Sequence, residues 1–422
     1  MPFLVFLVTR LGGNGLIYGL LGATYSFFQL LGAPVLGRWS DRWGRRTVLL
    51  ISQLGTLVSW CVFLVALLLP IAELWRIDSS IAGSFSLTLP LLVLFVARAL
   101  DGLTGGNVSV AQAYLADITD EEERSAQFGR MAVASNLGFV LGPALAGLLG
   151  SLPSRSIATG ASTGELLPVI AALLISLVAL GLIRFRLPES SPCRMSEGPP
   201  PSGDVRKLLG QEPRDCFRVG EETVSASWRT ILGRPAVFWL LALQFLVYLG
   251  FNFFYVAFPV HAAGPLAWRL AQTGAFFSFL GLAMALVQGP VLSRASRHLS
   301  DRHLVLVGSF VLASGFAMFT VGTTVAIYVA ALFVAIGNGL MWPSLLSLLS
   351  KAAPPELQGA IQGYAGSGAA LASMVGLLLG GLLYEQISSG VFWLSAGLIG
   401  FVFVGATTPL CRERNTESAA LR

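Results

Sequence analysis

The chain has 422 residues, of which 55% are hydrophobic and only 12% charged; with a mean hydropathy of +0.74 it carries more apolar surface than one soluble domain can bury, whereas lipid accepts such surface on all sides. Lys and Arg number 27 against 22 Asp and Glu, a formal charge of +5, and the position of these cations in loops explains them better than an acidic or nucleic-acid partner does. The cysteines Cys61, Cys193, Cys216 and Cys411 have neither metal-like nor redox-like spacing, and there is no nucleotide-binding loop, metal cluster or nucleophile constellation, so no cofactor, metal or enzymatic activity is expected.

In chain order, Met1 to Val8 is apolar but too short to cross a bilayer, and it lacks the basic start and cleavage site of a signal peptide. It reads as the last turns of a first helix, inside which the chain begins, either through a start lying upstream or through truncation. At roughly 20 apolar residues per crossing, eleven spans are predicted: 16–37, 47–70, 89–116, 126–150, 164–186, 235–258, 270–292, 303–322, 324–350, 358–383 and 389–410. A polar segment rich in Pro, Ser and charge, 187–234, separates an N-terminal half (1–186) from a C-terminal half (235–410), with a tail at 411–422. Arg38, Arg42, Arg45 and Arg46 in the turn after the first span, and seven more cations in 187–234, face only Arg10, Arg76, Arg155 and Arg269 on the other side. That bias predicts that the turn, the linker and the tail are cytoplasmic.

The halves repeat each other. Pro34-Val35-Leu36-Gly37-Arg38 matches Pro290-Val291-Leu292-Ser293-Arg294 at an offset of 256, and Gly129, Gly142 and Gly147 match Gly363, Gly376 and Gly381 at an offset of 234. The polar segment Glu73 to Ser86 is expected to supply most of the difference. Two parallel six-helix repeats, with the first helix restored, are the arrangement of a carrier that rocks around a central site.

The residues Gly37-Arg38-Trp39-Ser40-Asp41-Arg42-Trp43-Gly44-Arg45-Arg46 resemble the loop signature of the major facilitator superfamily. Arg98-Ala99-Leu100-Asp101-Gly102, Tyr114-Leu115-Ala116-Asp117, Gly138-x-x-x-Gly142-Pro143-x-x-x-Gly147 and Leu187-Pro188-Glu189-Ser190 are similar to the tetracycline and multidrug proton antiporters of that superfamily. The resemblance covers nearly the whole chain. It implies an all-α major facilitator fold and secondary active transport by alternating access: proton-coupled efflux of a small amphipathic, drug-like compound, by a monomer in a plasma or inner membrane, an organelle membrane being the other possibility. Uptake or facilitated diffusion of a small solute, and a non-transporting receptor or scaffold or an inactive truncated variant, are the alternatives.

Four sets of residues carry this reading. Gly37 and Gly44 are expected to allow close approach and a tight reversal; Asp41 can reach helix N–H groups or the Arg45 guanidinium. By the resemblance, Asp41, Arg42 and Arg45 form an inter-half gating latch with Asp117 and the segment near Pro354-Pro355-Glu356; the alternative, that arginines only set topology, applies chiefly to Arg38 and Arg46. In the second copy Asp41, Gly44 and Arg45 become Arg297, Ser300 and Asp301, and the latch there is expected to have lapsed. Arg98 falls near the bilayer midplane, where a charge is costly, and Asp101 one turn on can pair with it. By the resemblance Arg98 is a proton-path residue, which makes Asp101, where the family has an uncharged residue, the titrating candidate; a self-neutralising pair is the alternative.

Ala134, Gly138, Gly142, Ala146 and Gly150, with Pro143 and Gly147, form a small-residue stripe, and Gly368, Gly376 and Gly380 repeat it; by the resemblance Gly138, Gly142, Pro143 and Gly147 mark an exchanger, while close helix packing is the plainer reading. Candidate cavity residues are Tyr25, Gln29, Asn107, Gln112, Asn136, Gln244, Tyr248, Asn252, Tyr255, Asn338, Trp342 and Gln362, with Gln244, Tyr248, Asn252 and Tyr255 on one helix face. Each alone can equally be an interhelical hydrogen bond. His261, His298 and His303 are expected to be solvated.

Overall fold

The computed structural model describes residues 2–118, 121–152, 163–190, 233–352 and 358–408; within these ranges the side chains at 38, 41, 42, 136 and 362, among others, are outside the description. The chain divides by internal packing into two units, Met1–Glu221 with Arg269–Gly274, and Glu222–Trp268 with Ala275–Arg422. Among the described residues ten helical stretches are long and apolar enough to cross a membrane. The span predicted at 126–150 falls on a further helix, whose apolar portion is Leu137–Gly150.

The first unit runs α1 (Pro2–Arg10), α2 (Gly15–Trp43), α3 (Arg45–Leu68), β1 (Glu73–Ser79), β2 (Gly83–Thr88), α4 (Leu89–Thr104), α5 (Asn107–Ile118), α6 (Glu121–Gly150) and α7 (Thr163–Arg186). Asn14 starts α2, its Oδ1 accepting the Ile17 N–H at 3.2 Å. The predicted span 89–116 is two helices, α4 and α5, because Gly105 and Gly106 interrupt it. A side chain at Gly106 would meet the backbone of Ala33, and one at Gly102 the carbonyl of Tyr25, so these glycines let α2 pack at backbone distance. Ser59 and Ser52 then donate their hydroxyls to the Ala97 and Thr104 carbonyls, tying α3 to α4.

The segment Glu73 to Ser86 was expected only to be polar. It is part of an antiparallel hairpin of β1 and β2, so the all-α architecture carries one small sheet. On α7, Leu174, Val178, Leu182 and Phe185 are exposed, the outward apolar face that lipid permits.

The second unit runs α8 (Pro235–Ala263), α9 (Leu270–Leu286, whose first residues, to Gly274, cluster with the first unit), a π turn (Val287–Val291), α10 (Leu292–Ala295), α11 (Asp301–Met318), a 3-10 turn (Phe319–Val321), α12 (Thr324–Ala352), α13 (Gln358–Ile387) and α14 (Gly390–Thr407). The π turn contains Pro290, which has no N–H to donate; its repeat partner Pro34 sits inside an uninterrupted α2. Phe254 and Phe258 of α8 lie against Phe276, Phe316, Phe319 and Phe392 in a fully buried aromatic core. Their ring centroids are 4.2 to 6.4 Å apart, within the range where offset and edge-to-face pairs add to simple burial.

Candidate functional site

At the turn between α2 and α3, Gly44 takes φ +92°, a conformation that side chains disfavour, and a Cβ there would strike the Glu189 carboxylate. That carboxylate accepts the Arg45 N–H at 2.7 Å and the Arg46 N–H at 3.4 Å, satisfying donors that every helix leaves open at its start. Arg45 Nε reaches Asp117 Oδ2 at 2.9 Å, with both side chains 15% exposed, and its Nη1 donates to Ser40 Oγ at 2.7 Å. Arg46 Nη2 donates to the Arg184 carbonyl at 2.5 Å, near the end of α7. The start of α3 is therefore clasped to α5 and α7 within one unit.

Two interactions open to Asp41 by sequence, capping α3 and holding Arg45, are made by Glu189 and Asp117. The side chains of Asp41 and Arg42 lie outside the described residues, as does the segment near Pro354-Pro355-Glu356. At Gly37 a Cβ would meet nothing within 4 Å among the described residues. Glu189 was visible only as part of Leu187-Pro188-Glu189-Ser190, without a role; an acidic residue just past the last apolar helix of a half was the signal.

In the second unit the pairing has not lapsed. The 256-residue offset carries Arg45 and Arg46 onto Asp301 and Arg302, and the 234-residue offset carries Asp117 onto Lys351. Lys351 Nζ lies 2.9 Å from Asp301 Oδ2, which also accepts the Ser347 hydroxyl at 2.6 Å. Arg302 donates to the carbonyls of Ala406 and Thr407 at the end of α14, as Arg46 does to α7. The ion pair persists with its polarity exchanged, at the first residue of the third helix of each half.

Arg98 and Asp101 meet on α4, Nη1 to Oδ2 3.0 Å, at 6% and 17% side-chain exposure. The guanidinium lies over the Tyr25 ring, 4.4 Å from its centroid. Gln29 Nε2 donates to Tyr25 Oη at 3.3 Å and to the Gly105 carbonyl at 3.1 Å, linking the pair to the break between α4 and α5. Asn107, at the start of α5, is partly exposed.

The small-residue stripe divides. At Gly138 and Gly142 a Cβ would find open space, whereas Gly147 lies against Ala271 and Gly274, whose segment clusters with the first unit, and Pro143 presents its carbonyl to Gly274. On α13, Gly376 and Gly380 pack on Asn252, Phe253 and Val256 of α8, but a Cβ at Gly368 would meet nothing within 4 Å among the described residues.

The α8 face is engaged in its own unit: Tyr248 sits edge-on to Trp342 at 4.8 Å, Asn252 Nδ2 donates to Ser373 Oγ at 3.1 Å, and Tyr255 meets Phe277 at 5.6 Å. Gln244 is 4% exposed and its Oε1 has no hydrogen-bond partner among the described residues. Asn338 is half-buried on α12. His298 and His303 are exposed, but His261 is buried, its Nδ1 3.0 Å from the Tyr384 hydroxyl; the neighbouring Phe392 ring at 5.5 Å closes it from solvent.

Apolar crossing helices in two repeated units define a multi-pass integral membrane protein. The chain belongs to the major facilitator superfamily, whose family model matches residues 1–368 and 240–420; it is a membrane transporter of small molecules, not an enzyme. The class C tetracycline resistance protein of Escherichia coli is 26% identical over 392 residues, 92% of this chain and 86% of that protein. Solute carrier family 67 member A1 of Homo sapiens is 28% identical over 402 residues, covering 92% and 82%. Among solved structures, the human organic anion transporter MFSD10 (TETRAN) has a TM-score of 0.60 at 23% identity, covering 92% and 83%. The inward-open xylose transporter XylE of E. coli has a TM-score of 0.69 at 16%, covering 99% and 98%; it shares the fold alone.

Proposed function

We propose that this carrier works as a monomer in a plasma or inner membrane and exports a small amphipathic compound in exchange for protons, the Arg98–Asp101 pair carrying the proton. One observation supports this most: a buried carboxylate held 3.0 Å from a buried guanidinium under the Tyr25 ring. A proton arriving at Asp101 removes the charge that neutralises Arg98, and that change of charge can bias a conformational equilibrium. Similarity to the tetracycline resistance relatives supports a substrate of the tetracycline kind.

In this reading Gly37, Asp41, Arg42, Gly44, Arg45 and Asp117 belong to a cytoplasmic gate, with Glu189 as a further member. Gly138, Gly142, Pro143 and Gly147 shape the exchanger's moving helix. Substrate contacts come from Gln29, Asn107, Gln244, Tyr248, Asn252, Tyr255, Asn338 and Trp342, with the Gln244 carbonyl oxygen as an acceptor awaiting a donor. The linker and the C-terminus face the cytoplasm.

Everted membrane vesicles loaded with radiolabelled tetracycline under an imposed pH gradient provide the test. Accumulation that collapses with nigericin supports exchange; equilibration without accumulation, insensitive to the gradient, points to facilitated diffusion. No tetracycline counterflow in reconstituted vesicles would remove the drug-efflux reading.

A further inference from the structure

The join between α3 and α4 differs from its counterpart in the second unit. There, α11 passes to α12 through one 3-10 turn, Phe319–Val321, and two residues; here an entire β-hairpin intervenes. The hairpin is firmly mounted. Ser86 N–H donates to the Gly12 carbonyl at 2.8 Å and Leu89 N–H to Ala72 at 3.1 Å, Asn14 Nδ2 to Ala82 at 2.7 Å, and the Thr88 hydroxyl to Leu11 at 3.0 Å.

Its register sorts the side chains by polarity. Trp75 stands opposite Leu87 and Ile77 opposite Phe85, while Arg76 stands opposite Ser86 and Asp78 opposite Ser84. Alternation along a strand puts the first four on one face and the second four on the other. On the polar face Arg76 Nε and Asp78 Oδ2 are 3.5 Å apart. On the apolar face Trp75 is 68% exposed, and Ile81 at the tip is 64% exposed.

The crossing helices that flank the hairpin also expose apolar side chains. Val65 and Leu68 end the crossing helix α3 with exposed side chains, Ile71 follows, and Leu89 and Leu92 open the next crossing helix in the same way. The hairpin begins where one apolar span stops and ends where the next starts, at the end of α3 remote from Gly44. Trp at that depth has an apolar body for the acyl chains and an indole N–H for the headgroups, and a sheet with one charged and one apolar face suits the boundary between them.

We propose that the hairpin lies along the lipid–water boundary, with Trp75 and Ile77 dipped among the lipids and Arg76 and Asp78 turned to water. The lipid surface thereby fixes the depth of the α1–α2 turn, to which β2 is bonded.

Spin labels test this in proteoliposomes of phosphatidylethanolamine and phosphatidylglycerol. On a background with the four cysteines replaced by serine, nitroxides are placed through Trp75→Cys, Arg76→Cys, Ile77→Cys and Asp78→Cys. Collision rates with oxygen and with a water-soluble nickel chelate are then compared. Labels at 75 and 77 are expected to favour oxygen, and labels at 76 and 78 the nickel chelate, alternating residue by residue. Equal access of all four to nickel, or shielding of 75 and 77 from both reagents by a protein partner, would overturn the proposal. Trp75→Phe in the otherwise intact chain gives a second measurement that disturbs the fold little: the tryptophan emission it removes should be the part quenched by shallow brominated lipids. Removal of emission quenched only by aqueous iodide would contradict lipid contact.

Discussion

Asp301 holds the Lys351 ammonium at 2.9 Å, and by the internal repeat these two residues stand where Arg45 and Asp117 stand in the first unit, also 2.9 Å apart, with the charges exchanged. A helix start joined to the end of the next crossing stretch is thus a property of both halves, and the sign of each charge is free as long as the pair stays complementary.

Complementarity predicts rescue. Lys351→Asp should lower the thermal unfolding midpoint of the purified carrier, and Asp301→Lys with Lys351→Asp should recover most of the loss. The effect should be small, about 0.2–1 kcal/mol, because Lys351 is 58% exposed. Asp117→Asn strips a partner from a much less exposed Arg45 and should cost more, about 1–3 kcal/mol. A swap no more stable than the single variant would contradict the pairing.

The two glycines of the α2–α3 turn should behave differently. Gly44→Ala forces a side chain into φ +92° against the Glu189 carboxylate, and should reduce folded protein in membranes and transport. Gly37→Ala adds a methyl to open space inside a helix; it should leave the folded yield intact, stabilising by up to about 1 kcal/mol, so that any loss of transport reports on the gate. Transport assays on membranes matched for protein content separate the two.

Glu189 should act as the cap of α3 and not as a free charge. Glu189→Gln keeps one acceptor but loses the charge facing the helix start, and should cost about 1 kcal/mol. A double-mutant cycle with Asp117→Asn should show coupling, since Ser190, next to Glu189 in sequence, contacts both, with its N–H 3.1 Å from Glu189 Oε1 and its hydroxyl 3.5 Å from Asp117 Oδ2. Strict additivity would mean that the two acids work independently.

Much of this was legible in sequence where the signal was local. Apolar run lengths placed the crossing helices, and the three-residue spacing of Arg98 and Asp101 placed their pair, because helix geometry fixes neighbours without reference to the rest of the fold. The Asp301–Lys351 pair was missed because Asp301 was set against Arg45 while Lys351 was not set against Asp117; only both substitutions together conserve the contact. The hairpin was read as polar because its charges were counted along the chain, whereas strand alternation sends Trp75 and Ile77 to one side and Arg76 and Asp78 to the other. Gly138 and Gly368 fit a four-residue pattern, but the pattern names a face and cannot say whether a helix lies against it.

The account rests most heavily on Asp101 as the proton carrier. Asp101→Asn keeps the shape and a hydrogen-bonding oxygen near Arg98 but cannot hold or release a proton, so the decisive measurement is tetracycline flux in proteoliposomes with and without a pH gradient. The expected result is normal downhill counterflow with no acceleration by the gradient. Full gradient-driven flux in Asp101→Asn would contradict the account.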